Sequence, residues 1–447
     1  MFYRKLYQYL LDWKEKPDHK PLIIRGARQV GKSTLVSEFG KEFRHFISLN
    51  LEKYEDRRFF DNLERTKDII EAIFLRSGTP MTGEPTLIFL DEIQESPKAV
   101  SQLRYFFEDF HSLHVIAAGS LFEFAIKKVP SFPVGRVEQV VLHPFDFEEF
   151  LLATGLQDVL NELNKIPVKN YAHETLIELF NLYAIIGGMP EVIKRYIEEK
   201  SLINLGDIYS NLWQSYRDDI EKYASNSTER KIIRHIIDTA PAEKERITLA
   251  GFGNSSYRSR EAGEALRALD MARIIQLIYP STSIEPPAIP DLKRKPRLQF
   301  LDTGLLNYSL DHQSEMIGLR DLNGFCRGRI IQHLTAQQFQ AQSHSPLFRP
   351  LFWVREKANS NAEVDLLHRY NKFLIPVEVK AGGHGMLRSL HQFVERSKHK
   401  YAVRLLANNC SIEKLKTPSG IPYLLMNMPY YASTKIHQYV QWFVENN

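Results

Sequence analysis

The sequence predicts an α/β protein of several domains: a parallel-sheet domain first, a helical and winged-helix region in the middle, and a second α/β unit at the end. Three observations predict this order. Strand-like and helix-like segments alternate to about residue 160, helical patterns dominate to about residue 240, and strand-like segments return after residue 300. At 447 residues the chain also exceeds what one hydrophobic core usually accommodates, so two or three domains are expected.

Composition excludes several classes of protein. Apolar residues make up 43% of the chain and charged residues 25%, which is typical of globular proteins and not of disordered or fibrous ones. The net charge of +4 is small for this length, so any binding of nucleic acid must depend on local patches. Cys326 and Cys410 are the only cysteines, which argues against a disulfide framework or a cysteine zinc site and fits a reducing cytosol.

The N-terminal segment does not look like a targeting signal. MFYRKLYQYLLDWKEK places apolar residues and charges at helical spacing, whereas a signal peptide needs an uninterrupted apolar stretch and a cleavage site. The chain contains no run of about 18 apolar residues, so no membrane-spanning segment is expected. The sequence therefore predicts a cytoplasmic protein without a membrane partner.

The first domain, residues 1–160, is predicted to contain a parallel sheet. PLIIRG has the character of a short apolar strand, and STLVSEFGKEF continues with helical spacing behind a glycine-rich turn. Further strands are expected at FISLNLE, TLIFLDE, LHVIAAGS and VEQVVLHP. Strands that alternate with helices predict parallel pairing, because parallel neighbours need a crossover connection.

Three further regions follow. Residues 161–225 are expected to form a helical lid or linker, and residues 226–300 a winged-helix-like domain in which PSTSIEPPAIPDLKRKPRLQFLDTG supplies a two-stranded wing. Residues 301–447 combine the helical segment GRIIQHLTAQQFQAQ with the strand-like segments LFWVRE, AEVDLLHRY and FLIPVEVK. This last region predicts a second α/β domain.

The segment between the first strand and its helix matches GxxxxGK[ST], the Walker A motif or P-loop. Its glycines let backbone N–H groups turn towards phosphate oxygens, and the N-terminus of the helix adds a positive dipole. Lys32 adds a mobile positive charge, and Ser33 is expected to bind Mg²⁺. The residues predicted to bind ATP here are Gly26, Ala27, Arg28, Gln29, Val30, Gly31, Lys32, Ser33 and Thr34.

A second motif, LIFLDE, is an apolar strand that ends in two carboxylates. Asp91 is predicted to hold Mg²⁺ directly or through water, and Glu92 to polarise the attacking water, as phosphoryl transfer requires. Ser120 ends the next strand at the same edge of the sheet, where a polar group can sense the γ-phosphate or orient water. Hydrolysis of ATP is therefore expected, with Glu92 and Lys32 as the catalytic residues.

Arg136, in FPVGR, has two interpretations as a candidate residue of the nucleotide site. It could donate positive charge to the transition state, either in cis or from a neighbouring subunit of a homo-oligomer. It could instead be the structural ion-pair partner of an acidic residue, which is the commoner role of such an arginine. The sequence leaves both open.

Several segments together resemble one family. GARQVGKS, LIFLDEIQ, AAGS, FPVGR with HPFDFEEF after it, IGGMPEV and FLDTGL look like the bacterial and archaeal AAA-like ATPases that carry a C-terminal DUF4143 domain. The resemblance covers nearly the whole chain. It implies a P-loop NTPase core akin to AAA+ and STAND proteins, a helical region with a winged helix, and a domain similar to PD-(D/E)XK nucleases. It also implies nucleotide-site positions for Lys32, Ser33, Asp91, Glu92 and Ser120, and matches Arg136 to an arginine that recurs in the family.

Three residues near the C-terminus suggest a second site. Asp365 lies in AEVDLL, and Glu378 and Lys380 lie in IPVEVK, thirteen to fifteen residues later, which suits two adjacent strands. As metal ligands, Asp365 and Glu378 could bind Mg²⁺ or Mn²⁺, and Lys380 could position a water or neutralise charge on a phosphodiester. This is the PD-(D/E)XK arrangement, with all three residues as catalytic candidates. The alternative is a half-exposed strand on which charges alternate with valines.

The helix before these strands lacks an acid that the resemblance implies. Relatives carry a glutamate in the segment that matches GRIIQHLTAQQ, where this chain has Ile331 and Gln332. Loss of that acid would weaken a metal site, so two hypotheses stay open. The chain is either an ATPase with a nuclease-like domain that acts on DNA or RNA, or a nucleotide-controlled, STAND-like switch with a catalytically inactive module that binds protein or DNA.

Basic residues in the middle region make nucleic acid a candidate partner. Phosphate contacts are feasible from the predicted wing and from the start of a candidate recognition helix. A solvated basic turn would explain the same charges. The residues concerned are Lys293, Arg294, Lys295 and Arg297 in the wing, and Tyr257, Arg258 and Arg260 at the helix.

Overall fold

The structure is a computed structural model of the 447-residue chain. The residues that it describes are 2–81, 83–120, 122, 129, 131–221, 224, 226–243, 246–316, 329–355, 362–380 and 387–447. They divide into two compact units. The first comprises Met1–His143 with Met271–Arg273 and His344–Leu347, and the second comprises Pro144–Asp270, Ile274–Ser343 and Phe348–Asn447.

The first unit contains a five-stranded sheet in which neighbouring strands are parallel, as predicted. Across the sheet, the fourth strand in the chain separates the first strand from the third. Parallel strands present their carboxyl ends at one edge, so the ends of these three strands lie side by side. The strands are β1 (Leu22–Arg25), β2 (His45–Asn50), β3 (Thr86–Asp91), β4 (Leu113–Gly119) and β5 (Glu138–Val141), in the spatial order β2, β3, β4, β1, β5.

Helices pack against this sheet and keep its central strands from water. Ile23 of β1 and Ile88 of β3 have no exposed surface, and they share one hydrophobic cluster with Ile70 and Leu103 from two helices. Burial of both faces explains why these strands are continuous apolar runs in the sequence. The helices described in this unit are α1 (Leu6–Lys14), α2 (Lys32–Phe39), α3 (Tyr54–Asn62), α4 (Thr66–Ser77) and α5 (Pro97–Asp109).

The start of α5 is fixed by its local sequence. Ser96 caps the helix by accepting the backbone N–H of Ala99 at 3.2 Å, and Pro97 occupies the first turn, where a missing N–H costs nothing. A short 3-10 turn, Ile93–Glu95, connects the end of β3 to this cap. Only a few residues therefore separate the carboxylates at the end of β3 from a rigid helix.

The second unit combines helices with two sheets. Among its described helices, none is both long and apolar enough to cross a membrane alone; residues 170–186 and 190–199 meet that test only as a pair bent by 118°. The helices are α6 (Phe147–Ala153), α7 (Gln157–Leu163), α8 (His173–Ile186), α9 (Pro190–Glu199), α10 (Gly206–Glu221), α11 (Ser227–Thr239), α12 (Ser259–Met271), α13 (Thr303–Ser309), α14 (Gln313–Met316), α15 (Arg329–Ala341), α16 (Arg388–Val394) and α17 (Ile436–Glu445).

The strands of the second unit form one small and one large sheet. They are β6 (Ile275–Ile278), β7 (Pro280–Ser281), β8 (Arg297–Phe300), β9 (Leu351–Val354), β10 (Glu363–Tyr370), β11 (Phe373–Val379), β12 (Tyr401–Leu406), β13 (Ser411–Lys416) and β14 (Pro422–Pro429). β6 pairs with β8 alone, and the others form a mixed sheet in the order β13, β14, β12, β11, β10, β9, β7. The mixed sheet with its helices confirms the C-terminal α/β prediction.

The two-stranded wing differs from the expected one in its first strand. β8 lies within the segment expected to supply both strands, but its partner β6 precedes that segment, and β7 pairs with β9 in the large sheet. The stretch EPPAIP between them contains three prolines, which have no N–H to donate to a neighbouring strand. That stretch therefore cannot pair regularly with β8.

The segments IGGMPEV and FLDTGL meet inside the second unit. Asp302 has no exposed surface, and its carboxylate accepts the N–H of Gly188 at 2.5 Å and that of Leu305, in the first turn of α13, at 3.1 Å. Burial raises the pKa of Asp302 to about 6. A Cβ on Gly187, whose φ is 74°, would lie 2.2 Å from the same carboxylate, so glycine is required there. The buried carboxylate of Asp302 therefore connects these two segments, and their role here is structural.

Candidate functional site

The glycine-rich loop after β1 has a conformation that its glycines make possible. Gly31, with φ of 95°, precedes α2 as its N-cap, and Gln29 is also left-handed, with φ of 63°. A Cβ on Gly26 would lie 2.5 Å from the carbonyl oxygen of Leu142, so a larger residue would push the loop away from the strand end. A loop of this shape at the N-terminus of a helix suits the binding of an anion.

Lys32 lies within the loop that it is predicted to serve. Its side chain is buried, and Nζ donates to the carbonyl oxygens of Gly26 at 3.1 Å and Ala27 at 2.8 Å. The ammonium group is thus held inside the curve of the loop, where a phosphate would meet it. The next two residues, Ser33 and Thr34, are exposed in the first turn of α2.

Arg4 supports the loop from the segment before α1. It is 4% exposed, and its guanidinium donates to the carbonyl oxygens of Val30 at 2.9 Å and His143 at 2.5 Å. These two bonds connect the P-loop to the chain that follows β5. Sequence reasoning gave Arg4 no role, because its partners are backbone atoms far away in the chain.

Asp91, at the end of β3, has the side chain of Ser33 beside it. Burial raises the pKa of Asp91, and the charge of Glu92 adds to the rise, while Ser33 and Lys32 act in the opposite direction. A hydroxyl and a carboxylate side by side form the oxygen donor set that Mg²⁺ prefers. The residues at this position therefore fit the predicted ion.

Glu92 is oriented by its backbone and by a neighbour. Its φ of 51° is left-handed, which is unusual for a residue with a side chain, and its N–H donates to Oδ1 of Asp91 at 3.0 Å. Nε2 of Gln94 donates to Oε2 of Glu92 at 2.6 Å. Gln94 fits there only because Gly119 has no side chain: a Cβ on Gly119 would lie 2.4 Å from Oε1 of Gln94.

The last two predicted nucleotide-site residues differ in their surroundings. Ser120 is 4% exposed and directly follows β4, between the ends of β1 and β3. Arg136 is exposed and donates from Nε to Oε1 of Glu108 on α5 at 2.8 Å, and this hydrogen bond holds the pKa of Glu108 below its usual value. Lys32, Ser33, Asp91, Glu92 and Ser120 thus lie at the same edge of the sheet. Arg136 instead forms an ion pair with an acidic residue, as in the second of its two interpretations.

In the second unit, Asp365 and Glu378 lie on neighbouring antiparallel strands, next to the register pair Leu366 and Val377. Nζ of Lys380 donates to Oε1 of Glu378 at 2.5 Å. Glu378 is 6% exposed, and burial raises its pKa to about 8, with the charge of Asp365 adding to the rise. Its other oxygen, Oε2, is buried without a hydrogen-bond partner among the described residues. The three C-terminal candidates therefore form one cluster.

Hydrogen-bond donors surround the carboxylate of Asp365. Gln332 on α15 donates from Nε2 to Oδ1 at 2.5 Å, and the N–H of Val379 donates to Oδ2 at 2.8 Å. Arg297 on β8 places a guanidinium nitrogen 3.4 Å from Oδ1 and also forms an ion pair with Glu363. Gln332 thus reaches the carboxylate pair from the helix in which the resemblance implies a glutamate.

This donor set does not fit the predicted divalent metal ion. Both oxygens of Asp365 accept hydrogen bonds. The Gln332 amide presents its NH₂ group to Asp365, because only that end of an amide can donate to a carboxylate, and an NH₂ group repels a cation. Within the described ranges, no group of three or more His, Cys, Asp or Glu side chains is arranged to hold a metal. The contacts of Asp365 and Glu378 thus do not favour Mg²⁺ or Mn²⁺ as their partner.

A row of polar residues continues from this cluster across the large sheet. The strand register pairs Glu378 with Arg404, Arg404 with Asn427, and Asn427 with Ser411. Nε of Arg404 donates to the Asn427 side chain at 2.8 Å, and its terminal nitrogen donates to Glu413 at 3.0 Å. The row connects four strands, and no sequence motif indicated it.

The basic residues expected to contact nucleic acid are largely engaged within the second unit. Three of these arginines form ion pairs, and the side chain of Arg297 is the least exposed of the three, at 21%. Arg297 belongs to the carboxylate cluster. The others form surface contacts, which are individually weak and can exchange for a phosphate. These contacts are Arg294 with Asp291 at 2.9 Å, Lys295 with Thr248 at 2.7 Å, and Arg260 with Glu264 at 2.9 Å.

Three protein-family models match the chain in succession. One described as an AAA domain (AAA_14) matches residues 18–151, a domain of unknown function (DUF8612) matches residues 177–315, and a second domain of unknown function (DUF4143) matches residues 327–424. No curated protein matches the chain at a significant level.

Solved structures also show similarity, at low identity. The Walker-type ATPase of Pyrococcus abyssi is 14% identical with a TM-score of 0.45, over 69% of this chain and 96% of that one. PCH-2 of C. elegans is 11% identical with a TM-score of 0.29, over 43% and 62%. A STAND protein with a tetratricopeptide repeat sensor, from Pyrococcus horikoshii, is 12% identical with a TM-score of 0.28, over 77% and 46%. The chain thus spans less than two thirds of the last two.

Proposed function

We propose that this chain, which carries an AAA-type P-loop ATPase domain and a C-terminal DUF4143 domain, hydrolyses ATP with Mg²⁺ and uses the nucleotide state to control a C-terminal module that does not cut its partner. One observation carries the ATPase proposal: the side chain of Ser33, directly after Lys32, lies beside Asp91 at the end of β3. This proximity brings the phosphate-binding loop to the carboxylates that hydrolysis requires. A cytoplasmic location and assembly into a homo-oligomer belong to the same proposal.

The residues of the chain would divide the work of hydrolysis as follows. Lys32 and the N–H groups of the loop bind and orient the phosphates, and Ser33 and Asp91 hold the metal. When bound, Mg²⁺ supplies charge neutralisation on the phosphate oxygens. Glu92 accepts a hydrogen bond from the attacking water and turns it towards the phosphorus atom, and Ser120 offers a second polar contact at the same edge.

Gln94 would act as a positioning residue for Glu92. The Gln94→Leu variant removes the 2.6 Å hydrogen bond to Glu92 while keeping a side chain of similar size. Because a hydrogen bond to a charged group contributes about 1.5–3 kcal/mol, we expect kcat for ATP to fall by about 10- to 100-fold. The KM for ATP should change less than about threefold, since Gln94 is not expected to touch the nucleotide. Steady-state kinetics measure both quantities.

A matched control is Gln102→Leu, on α5, whose side chain bonds to Thr66 and to the backbone of Glu64. It should leave kcat within about twofold of wild type, because it lies outside the hydrogen bonds of Glu92. If Gln94→Leu keeps the wild-type kcat, or raises KM as much as it lowers kcat, Gln94 has no positioning role.

For the C-terminal domain, we propose a binding module with nucleic acid as its partner. Support for binding without cleavage comes from the contacts of Asp365, which favour hydrogen-bond donors over a metal. Nucleic acid as the partner is favoured by exposed basic residues such as Arg258 and Lys293, in the region 226–300 that precedes the domain. Cleavage of nucleic acid is the second candidate. It is favoured by the proximity of Lys380 to Glu378, whose Oε2 atom has no hydrogen-bond partner among the described residues.

Incubation with labelled duplex and single strands, in Mn²⁺ and ATP, separates the two candidates. Wild type and Lys380→Ala should both leave the strands intact, and both should retard them equally in a gel-shift assay. Lys372→Ala, at an exposed lysine in the turn between β10 and β11, is the matched control. Cleavage by wild type and Lys372→Ala that is lost in Lys380→Ala would replace the binding module with a nuclease.

A further inference from the structure

We infer that Arg297 is the resident counter-cation of the C-terminal carboxylate cluster, and that its guanidinium occupies the place a divalent metal ion would need. The inference rests on the proposed function, in which this domain does not cut its partner. Arg297 would be the group that blocks a metal ion from the carboxylates. Arg297 comes from β8 of the two-stranded sheet, whereas the carboxylates lie on β10 and β11 of the large sheet. The site is thus closed from a separate structural element.

The position of Arg297 is determined by contacts on several sides. One terminal nitrogen lies 3.4 Å from Oδ1 of Asp365 and pairs with Glu363, and the other donates to the backbone carbonyl of Asp365 at 3.3 Å. The guanidinium also lies over the ring of Phe352, 4.4 Å from its centroid. A planar group with several fixed donors is well suited to hold this geometry, which a compact ammonium cannot reproduce.

The charges of the cluster are balanced without a metal. Its described carboxylates are Glu363, Asp365 and Glu378, and its described cations are Arg246, Arg297 and Lys380. With all six groups ionised the cluster is neutral, and with Glu378 protonated it is positive, so in either state an added divalent ion would leave at least two uncompensated positive charges in a partly buried place. That is costly, because solvent screens such charges poorly. Without Arg297 the cluster would carry one negative charge, and a glutamate in place of Gln332 would make it two.

Glu378 offers an oxygen atom that an ion could bind once Arg297 is removed. Its Oε2 atom is buried and has no partner among the residues that the structure describes, although a buried carboxylate oxygen normally accepts a hydrogen bond or binds a cation. The Lys380 ammonium satisfies only Oε1. Arg297 is bonded to Asp365 and Glu363, so its charge compensates the acids on β10, while Oε2 of Glu378 on β11 has no partner in the described part of the chain.

A pocket beside the cluster gives an ion room to reach it. Arg297, Gln332 and Asp365 line this pocket, which has a volume of about 60 Å³. A volume of that size accommodates a few water molecules. Shortening the Arg297 side chain would enlarge the pocket at the place where the guanidinium now lies against Asp365, and would open the carboxylates to a hydrated cation.

The test is a titration of the full-length chain with Mn²⁺ in the absence of nucleotide, followed by electron paramagnetic resonance. Wild type should bind no Mn²⁺ at the C-terminal site below about 1 mM. The double variant Arg297→Gln with Gln332→Glu should gain one site and bind at least about tenfold more tightly than wild type, because its cluster holds two more negative charges than the native one. Adding Asp365→Asn to the double variant should abolish the gained site.

Two controls separate charge from structure. Arg294→Gln removes a neighbouring arginine that pairs with Asp291 instead of Asp365, and should behave as wild type. Arg297→Lys keeps the charge without the planar fork, and should still exclude Mn²⁺. Should the double variant fail to fold, as judged by circular dichroism, the single Arg297→Gln variant decides, with an Mn²⁺ affinity above that of wild type as the expected result.

Two outcomes overturn the inference: a wild-type chain that binds Mn²⁺ as tightly as the variants at a site lost in Asp365→Asn, or folded Arg297→Gln variants that gain no site. Neither outcome involves nucleic acid. Failure of the proposed function would appear in a different assay, as strand cleavage that depends on Lys380, so the two failures are distinguishable.

Discussion

Replacing Lys32 with alanine is expected to raise the Kd for ATP at least about 100-fold, which corresponds to a loss of about 2.7 kcal/mol of binding free energy. The reason is the position of its ammonium group, which is held inside the P-loop by the carbonyl oxygens of Gly26 and Ala27. A phosphate that enters the loop exchanges these neutral acceptors for its own charged oxygens. Titration with a fluorescent ATP analogue measures the change.

The control for this variant is Lys41→Ala, an exposed lysine that pairs with Glu38 on α2. It should keep the wild-type Kd, because it lies at the far end of the helix from the loop. Lys32 is buried, so the folding of Lys32→Ala must be checked by thermal denaturation, and Lys32→Met, which retains most of the apolar side chain, serves if alanine destabilises the loop. A folded Lys32 variant with unchanged ATP affinity would remove the P-loop from the proposed function.

Glu92→Gln is expected to separate binding of ATP from its hydrolysis. The variant keeps the shape of the side chain but cannot accept a proton from water, so kcat should fall by about 100- to 1,000-fold. Affinity for ATP should stay within about threefold of wild type, because Lys32 and the loop remain intact. Rapid-quench measurement of a single turnover reports the chemical step, and the fluorescent analogue reports binding.

Glu95→Gln is the matched control for Glu92→Gln. Glu95 is an exposed acid three residues further along, in the 3-10 turn that follows Glu92, and should tolerate the change with kcat within about twofold of wild type. Equal activity of Glu92→Gln and wild type would exclude Glu92 as the group that activates water. A loss of ATP binding in Glu92→Gln would instead assign Glu92 to the binding of the nucleotide.

The arrangement around Glu92 explains why its neighbours matter for these outcomes. Its left-handed backbone and the hydrogen bond from Gln94 both restrict the direction of the carboxylate. Backbone strain of this kind persists only where surrounding structure enforces it, here the end of β3 and the capped start of α5. The expected loss in Gln94→Leu is smaller than that in Glu92→Gln, because the variant keeps the carboxylate and loses only its orientation.

Arg297 shows how a local pattern can leave the partner of a side chain open. The basic residues around β8 made phosphate contacts feasible from their charge alone, with a solvated basic turn as the alternative. In the structure the Arg297 side chain lies 3.4 Å from Asp365, a residue 68 positions later in the chain. Two residues so far apart in sequence come into contact because the small sheet packs near the large one. No local sequence pattern indicates that packing.

The sequence by itself determined the features that depend on short stretches of chain. The P-loop, the two carboxylates after β3 and the parallel sheet could all be predicted, because glycine positions, apolar runs and spacing within one strand–loop–helix unit specify them locally. The same holds for the strands that carry Asp365 and Glu378, the second of which ends directly before Lys380. The matches to an AAA domain and to DUF4143 confirm the two domains that these motifs suggested.

Only the tertiary structure decided which side chains meet. It brought Arg4 to the P-loop, Gln332 to Asp365, and Arg404 into the register of Glu378, and it gave Arg136 an ion pair with Glu108. The physical reason is that hydrogen bonds and ion pairs depend on distances of about 3 Å between atoms that the chain brings together from remote positions. Local sequence patterns determine where strands and helices form. The distances between remote side chains depend instead on the order of the strands in each sheet and on how the helices pack.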